Sequence, residues 1–185
     1  MNNCYSSFLH NVIEFAAQSH KGQRRKYPFD TPYISHPFNV GIILLKAGYE
    51  DEVVAAGLLH DVIEDCGVTS KEIEEKFGKR VSTMVEQVSE PKSVSDWHER
   101  KRIYREVLDN ADVGSLAVAA ADHLHNLKSL LIGISEDEEM LNKFNVSMND
   151  KLIHEEKCLV IFESKLQDEL TKELAEVVKE FKDSI

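Results

Sequence analysis

The chain has 185 residues, enough for one domain with a sizeable core, and 42% of them are hydrophobic. Its formal net charge of −11 argues against nonspecific nucleic-acid or membrane binding, and no apolar run reaches the roughly 18–20 residues that would span a bilayer. Cys4, Cys66 and Cys158 are odd in number and widely spaced, against a disulfide framework or a zinc knuckle, and the first residues lack signal-peptide order, so a reducing cytoplasm is the expected setting.

Residues 5–20 predict a helix, with Phe8, Val12, Phe15 and Ala16 at helical spacing and Gly22 as its stop. The following loop, 23–33, contains Pro28 and Pro32, and Lys21, Arg24, Arg25 and Lys26 crowd its start. Such a local cation cluster could attract a small phosphorylated substrate to an acidic protein; a merely solvated loop is the plainer alternative. His36-Pro37 opens a second helix, since proline is tolerated at a first helical position. Val40, Ile43, Leu44 and Ala47 form its buried stripe, and Gly48 stops it.

A central helix is predicted from about residue 50 to 64, and it carries Leu58-Leu59-His60-Asp61-Val62-Ile63-Glu64-Asp65. His60 and Glu64 fall one turn apart, as do Asp61 and Asp65, so four titratable groups can crowd one face of an apolar run. Burying such groups unpaired costs roughly 2–7 kcal/mol each. A bound cation and a polar substrate would remove that cost, whereas an exposed acidic helix end would never incur it.

Gly67 breaks the chain, and Thr69-Ser70-Lys71-Glu72 forms a capping box for a short helix ending at Phe77-Gly78. A helix over 79–88 follows, then a polar loop to Ser95. The next helix begins at Asp96-Trp97-His98-Glu99 and carries Arg100, Lys101, Arg102 and Arg105. Asp112 can cap a long helix from Val113 to about Leu131. Ala117, Ala119, Ala120 and Ala121 would let other helices approach it closely, and they lead directly into Asp122-His123-Leu124-His125-Asn126. Two helices between about 150 and 183 close the chain. Convincing apolar–polar alternation is missing throughout, so an all-α fold of about eight or nine helices is expected, as one domain over residues 1–185.

His36, the His60-Asp61 pair and Asp122 together offer two imidazoles and two carboxylates, a set suited to a hard-to-borderline divalent ion. With a carboxylate such as Glu64 or Asp65 to take a proton from water, that set would support metal-assisted phosphoester hydrolysis. Arg25, Lys26 and Lys101 could neutralise phosphate charge, although a solvated face explains Lys101 equally well.

These blocks, His36-Pro37, His60-Asp61 with Glu64-Asp65, and Ala121-Asp122-His123-Leu124-His125-Asn126-Leu127, resemble the HD-domain superfamily of metal-dependent phosphohydrolases. More narrowly, the chain resembles the hydrolase domain of the RelA/SpoT family and its small stand-alone homologues. Ala17-Gln18-Ser19-His20-Lys21-Gly22-Gln23-Arg24-Arg25-Lys26 and Thr31-Pro32-Tyr33-Ile34-Ser35-His36-Pro37 add to the likeness, which covers residues 10–132. The resemblance implies a single HD-domain helical bundle and one divalent metal held by His36, His60, Asp61 and Asp122. Manganese comes first, with iron, cobalt, nickel or magnesium as alternatives. It further implies that Glu64 and Asp65 act on the attacking water, that Arg25 and Lys26 contact the nucleotide, and that Asn126 and Ser129 do so from the far side.

Three departures bear on the substrate: two extra residues between Lys26 and His36, His123 where an arginine is usual, and the segment Trp97-His98-Glu99-Arg100-Lys101. The expected activity is that of a guanosine-3′,5′-bis(diphosphate) 3′-pyrophosphohydrolase. Another nucleotide or a phosphorylated dinucleotide is the alternative substrate, and a nonenzymatic nucleotide sensor is the alternative class. Glu64 and Asp65 argue against the sensor, which has no use for water-activating carboxylates. Only His98 lies between Asp61 and Asp122, so one metal rather than two is expected; His10, His20, His125 and His154 read as structural or surface residues. The expected partner is a small phosphorylated nucleotide, with no nucleic acid or membrane and with homo-oligomerisation left open.

Overall fold

A computed structural model describes residues 6–25, 30–137 and 145–185, so the expectation placed on Lys26 lies outside the described residues. Every element among them is helical: α1 (Ser7–Ser19), α2 (Ser35–Lys46), α3 (Asp51–Leu59), α4 (Val62–Cys66), α5 (Ser70–Phe77), α6 (Lys79–Val88), α7 (Trp97–Leu108), α8 (Val113–Glu136), α9 (Met148–Lys165) and α10 (Glu169–Ser184). The only β feature among these residues is a single antiparallel bridge between Arg24 and Pro32. The all-α expectation is met.

Local chemistry sets many of the boundaries. Thr69 accepts from the Glu72 amide while the Glu72 carboxylate accepts from the Thr69 amide, the reciprocal capping box that the sequence predicts. Asp112 accepts from the Ser115 amide at 2.9 Å and starts α8. Gly67, at φ 69°, takes the left-handed conformation that ends α4 and costs other residues a steric penalty.

The central helix differs from expectation. It divides into α3 and α4 at His60 and Asp61, whose backbones stay in the right-handed helical region. That junction ends the α3 hydrogen-bond ladder and leaves its last carbonyls to other donors. Residues Val53 to Leu59 are all buried, so α3 is apolar all round and runs through the interior. It packs on α1, α2, α6 and α8. The small side chains of α8, Ala117 and Ala119–Ala121, are buried where that helix meets α2, α3 and α6. Its other flank meets α9 and α10, and it runs five residues beyond the expected end, to Glu136. The His-bearing start of α2, the α3–α4 junction and the middle of α8 thus converge on one cleft.

Candidate active site

A cleft of about 900 Å³ opens where these elements meet, lined by His36, His60, Asp61, Glu64, Asp65, Asp122, Asn126 and Ser129 together with Lys101, His123, Lys151 and Glu155. Arg25 and Tyr33 border it from the loop before α2.

The candidate ligand atoms meet at its floor. His36 Nε2 lies 3.1 Å from His60 Nε2 and 3.0 Å from Asp122 Oδ1. Asp61 Oδ2 lies 3.1 Å from His60 Nε2 and 3.6 Å from His36 Nε2. His36, His60 and Asp122 offer ligand atoms all within 4.8 Å of one another, and Asp61 joins them through the two imidazoles. Two ligand atoms that share an ion at about 2.1 Å each sit about 3.0–3.4 Å apart at tetrahedral to octahedral angles. The observed separations fit a small divalent cation.

The surroundings orient each group. His60 Nδ1 donates to the Gly57 carbonyl at 2.8 Å, which can only accept, so a neutral His60 ring turns the Nε2 lone pair to the centre. His36 Nδ1 is hydrogen-bonded to His125 Nδ1 at 2.8 Å. Asn126 Nδ2 donates to Asp122 Oδ1 at 2.7 Å, and the Tyr33 hydroxyl donates to Asp61 Oδ2 at 2.6 Å.

The electrostatics ask for a cation. Burial opposes ionisation of Asp61 and Asp122, but the adjacent imidazoles outweigh it and hold both carboxyls below the usual range. Burial likewise opposes protonation of His60, yet Asp61 and Asp122 raise its pKa well above that of a free imidazole. Two imidazoles and two carboxylates, with their donor-side atoms already committed, form an electron-rich pocket that draws a proton where no metal is bound. The donor set fits a metal.

Glu64 and Asp65 follow on α4. Burial pushes the Glu64 carboxyl up to about 7, the Glu90 amide pulls it back and the Asp61 charge raises it further. Glu64 Oε1 accepts from that amide at 2.6 Å. Asp65 Oδ1 pairs with Lys92 at 3.0 Å near the rim, so it is held farther toward solvent than Glu64.

The cations divide into engaged and available. Lys101 is ion-paired with Glu90 and lies over the Tyr104 and Trp97 rings, while Arg100 binds the other Glu90 oxygen at 2.9 Å. The two cations therefore share the single negative charge of Glu90. A terminal nitrogen of Arg25, by contrast, is buried without a hydrogen-bond partner, and Arg25 faces the negative charges of Asp122 and Asp61. Leaving a charged donor so placed is costly unless a ligand completes it. Asn126 and Ser129 line the cleft one and two turns beyond Asp122, and Asn126 already serves the Asp122 carboxylate.

Several participants escaped the sequence. Tyr33 and Glu90 carry no spacing signal of their own. His125 reads from sequence as structural, and it is structural in a particular way: it carries His36, one turn from Asp122 on the same helix face. Burial, with His36 and Arg25 nearby, lowers its pKa to about 4, which keeps it neutral. His20 is buried and bonded to Gln23 at 2.8 Å. His154 is buried rather than superficial, in a second group with His123 and Cys158. That group is ill suited to a metal. Arg105 donates to His154 Nδ1 at 2.9 Å, and burial together with His123, Lys101 and Arg105 holds the His154 pKa well down. His123 is committed to Glu155.

Comparison with known proteins places this geometry in a family. Residues 13–142 match the HD domain family. The chain is 44% identical to human guanosine-3′,5′-bis(diphosphate) 3′-pyrophosphohydrolase MESH1, over 66% of this chain and 69% of that one. It is 38% identical to the Drosophila melanogaster MESH1 protein, over 65% and 68% of the two chains. A solved structure, described as a metazoan ortholog of SpoT that hydrolyzes ppGpp and plays a role in starvation responses, superposes with a TM-score of 0.82 at 28% identity, covering 96% of this chain and 97% of that one. A Listeria monocytogenes structure superposes with a TM-score of 0.72 at 32% identity, covering 80% and 99%. The chain belongs to the HD-domain family, in the group that includes these pyrophosphohydrolases.

Proposed function

We propose that this HD-class hydrolase removes the 3′-diphosphate of guanosine-3′,5′-bis(diphosphate), using one manganese ion held by His36, His60, Asp61 and Asp122. The observation that carries this reading is the convergence of those four residues beside a buried, unpartnered Arg25 nitrogen, which gives one cleft a cation site and an anion site together. The names of the similar proteins support the guanosine substrate. A bound divalent ion supplies Lewis acidity, polarising a phosphoryl oxygen and making a water more acidic.

The protein's own groups supply the rest. Glu64, with a carboxyl tuned near neutrality and steadied by the Glu90 amide, accepts the proton of the attacking water. Asp65 lies one residue on, nearer the rim, and assists proton exchange with solvent. Arg25 forks onto a phosphate or stacks on the base, and Lys26 adjoins it in the chain. Asn126 and Ser129 face the nucleotide from α8, and Lys101 contributes its remaining positive field. The whole chain acts as one domain in the cytoplasm. No helix among the described residues is long and apolar enough to cross a membrane.

A cleft of about 900 Å³ also admits a larger ligand, which favours a phosphorylated dinucleotide as the second reading. Manganese-loaded protein offered a nucleotide panel, with orthophosphate and pyrophosphate followed separately, decides between them. Pyrophosphate released from the guanosine tetraphosphate is the expected result. Orthophosphate alone, released from a phosphorylated dinucleotide, would transfer the assignment to the second reading.

A further inference from the structure

Among the described residues of the segment before α2, Tyr33 reaches the candidate metal centre with its side chain. Gln23–Arg25 and Asp30–Tyr33 run antiparallel: the Arg25 amide donates to the Thr31 carbonyl at 2.9 Å, and the Tyr33 amide donates to the Gln23 carbonyl at 2.9 Å. Tyr33 thus closes the pair that carries Arg25. Its own carbonyl accepts from the His36 amide at 2.9 Å, which fixes the first turn of α2. Its ring packs between His20 and His36, with centroids 5.0 Å and 5.9 Å away. Its hydroxyl donates to Asp61 Oδ2, the oxygen that faces both imidazoles, at 2.6 Å. That length is typical of a charge-assisted O–H···O⁻ bond.

Asp61 needs such a partner. It lies at the break between α3 and α4, where its side chain makes no helix-capping hydrogen bond. The chain on the far side is also tied down: Gln23 Nε2 donates to the Asp65 carbonyl at 2.9 Å, so the Arg25 segment touches both ends of the Asp61–Asp65 stretch.

We propose that Tyr33 is a positioning residue that couples the metal centre to the Arg25 segment, so that filling the cation site orders the anion site. This rests on the metal centre of the proposed function and adds to it a mechanism of communication. Ligand carboxylates are aimed by their outer hydrogen bonds, and loss of one typically weakens metal binding by about 10–100-fold. By reciprocity, whatever the metal gives to the segment, an ordered segment returns to the metal. A protein built this way discriminates against phosphorylated ligands until it is loaded.

The test needs no turnover. Manganese affinity is measured by electron paramagnetic resonance for wild type and for Tyr33→Phe, and amide hydrogen exchange is followed with and without manganese. The variant keeps the ring against His20 and His36 and loses only the hydroxyl. Tyr33→Phe should bind manganese about 10-fold or more weakly. In wild type, manganese should slow exchange at the Arg25 and Tyr33 amides while leaving α10 unchanged; in the variant that protection should vanish. Equal affinity in the two proteins overturns the role of Tyr33 and leaves the metal centre standing. Manganese that binds wild type without slowing those two amides overturns the coupling with no variant involved. Wild type that binds no manganese overturns the metal centre and this inference with it.

Discussion

Glu64 is a carboxylate whose surroundings move it into the range where a base is useful. Burial pushes its pKa up to about 7. A base works only when deprotonated, so kcat/KM should climb as pH rises through about 7 and level off above it. Glu64→Gln should remove that limb and lower turnover by roughly 10²–10⁴-fold. Manganese content should match wild type, because Glu64 lies outside the set of four. A variant with the wild-type pH profile and turnover would take the proton-transfer role away from Glu64. At this scale the sequence was legible for the groups that carry chemistry and silent about those that aim them. His60 and Asp61 advertise themselves as polar groups in an apolar run. Tyr33 reaches Asp61 across 28 residues and His125 reaches His36 across 89, and such contacts leave no trace in local spacing.

Among the helices, the contact between α2 and α3 sets how close the two imidazoles come. It is built on two glycines. A Cβ placed on Gly57 would come 2.4 Å from Leu44 Cδ1 and 3.3 Å from Val40 Cγ1, and one on Gly41 would come 2.8 Å from Leu58 Cδ2. Leu44 and Val40 are fully buried, so neither can swing away freely. Gly57→Ala gains up to about 1 kcal/mol of helix propensity but incurs about 1–3 kcal/mol of overpacking. Net destabilisation by about 1 kcal/mol is expected in a urea titration, and a more stable variant would show that the contact has slack. The helices themselves were legible, because caps such as Thr69 and Asp112 act within three residues. The break at His60-Asp61 was not. Both residues keep helical backbone angles and the apolar run continues through them, so only the hydrogen-bond ladder records it.

Across the whole molecule, the cleft is completed by a part of the chain that lies beyond the matched family region. Lys151 and Glu155 on α9 and Phe181 on α10 all line it, whereas the family match stops at residue 142. Phe181 is fully buried where α10 packs on α8, the helix that carries Asp122. Phe181→Ala should cost about 3–5 kcal/mol of stability, the usual range for emptying a large aromatic site, read as a lowered urea midpoint. An unchanged midpoint would mean that the C-terminal helices fold apart from the rest. The sequence located these helices by their apolar positions but gave them no task, because nothing local shows that Glu155 meets His123 across 32 residues. One asymmetry of the centre has a genetic consequence. Asp61, His36 and Asp122 are each steadied by a side chain, so a single codon change at Tyr33, His125 or Asn126 can unsettle one of them. His60 is steadied by a main-chain carbonyl, that of Gly57, which no substitution can delete. A saturation library should therefore find His60 intolerant at its own position while yielding no second position whose side chain merely supports it, unless the backbone of Gly57 is itself displaced.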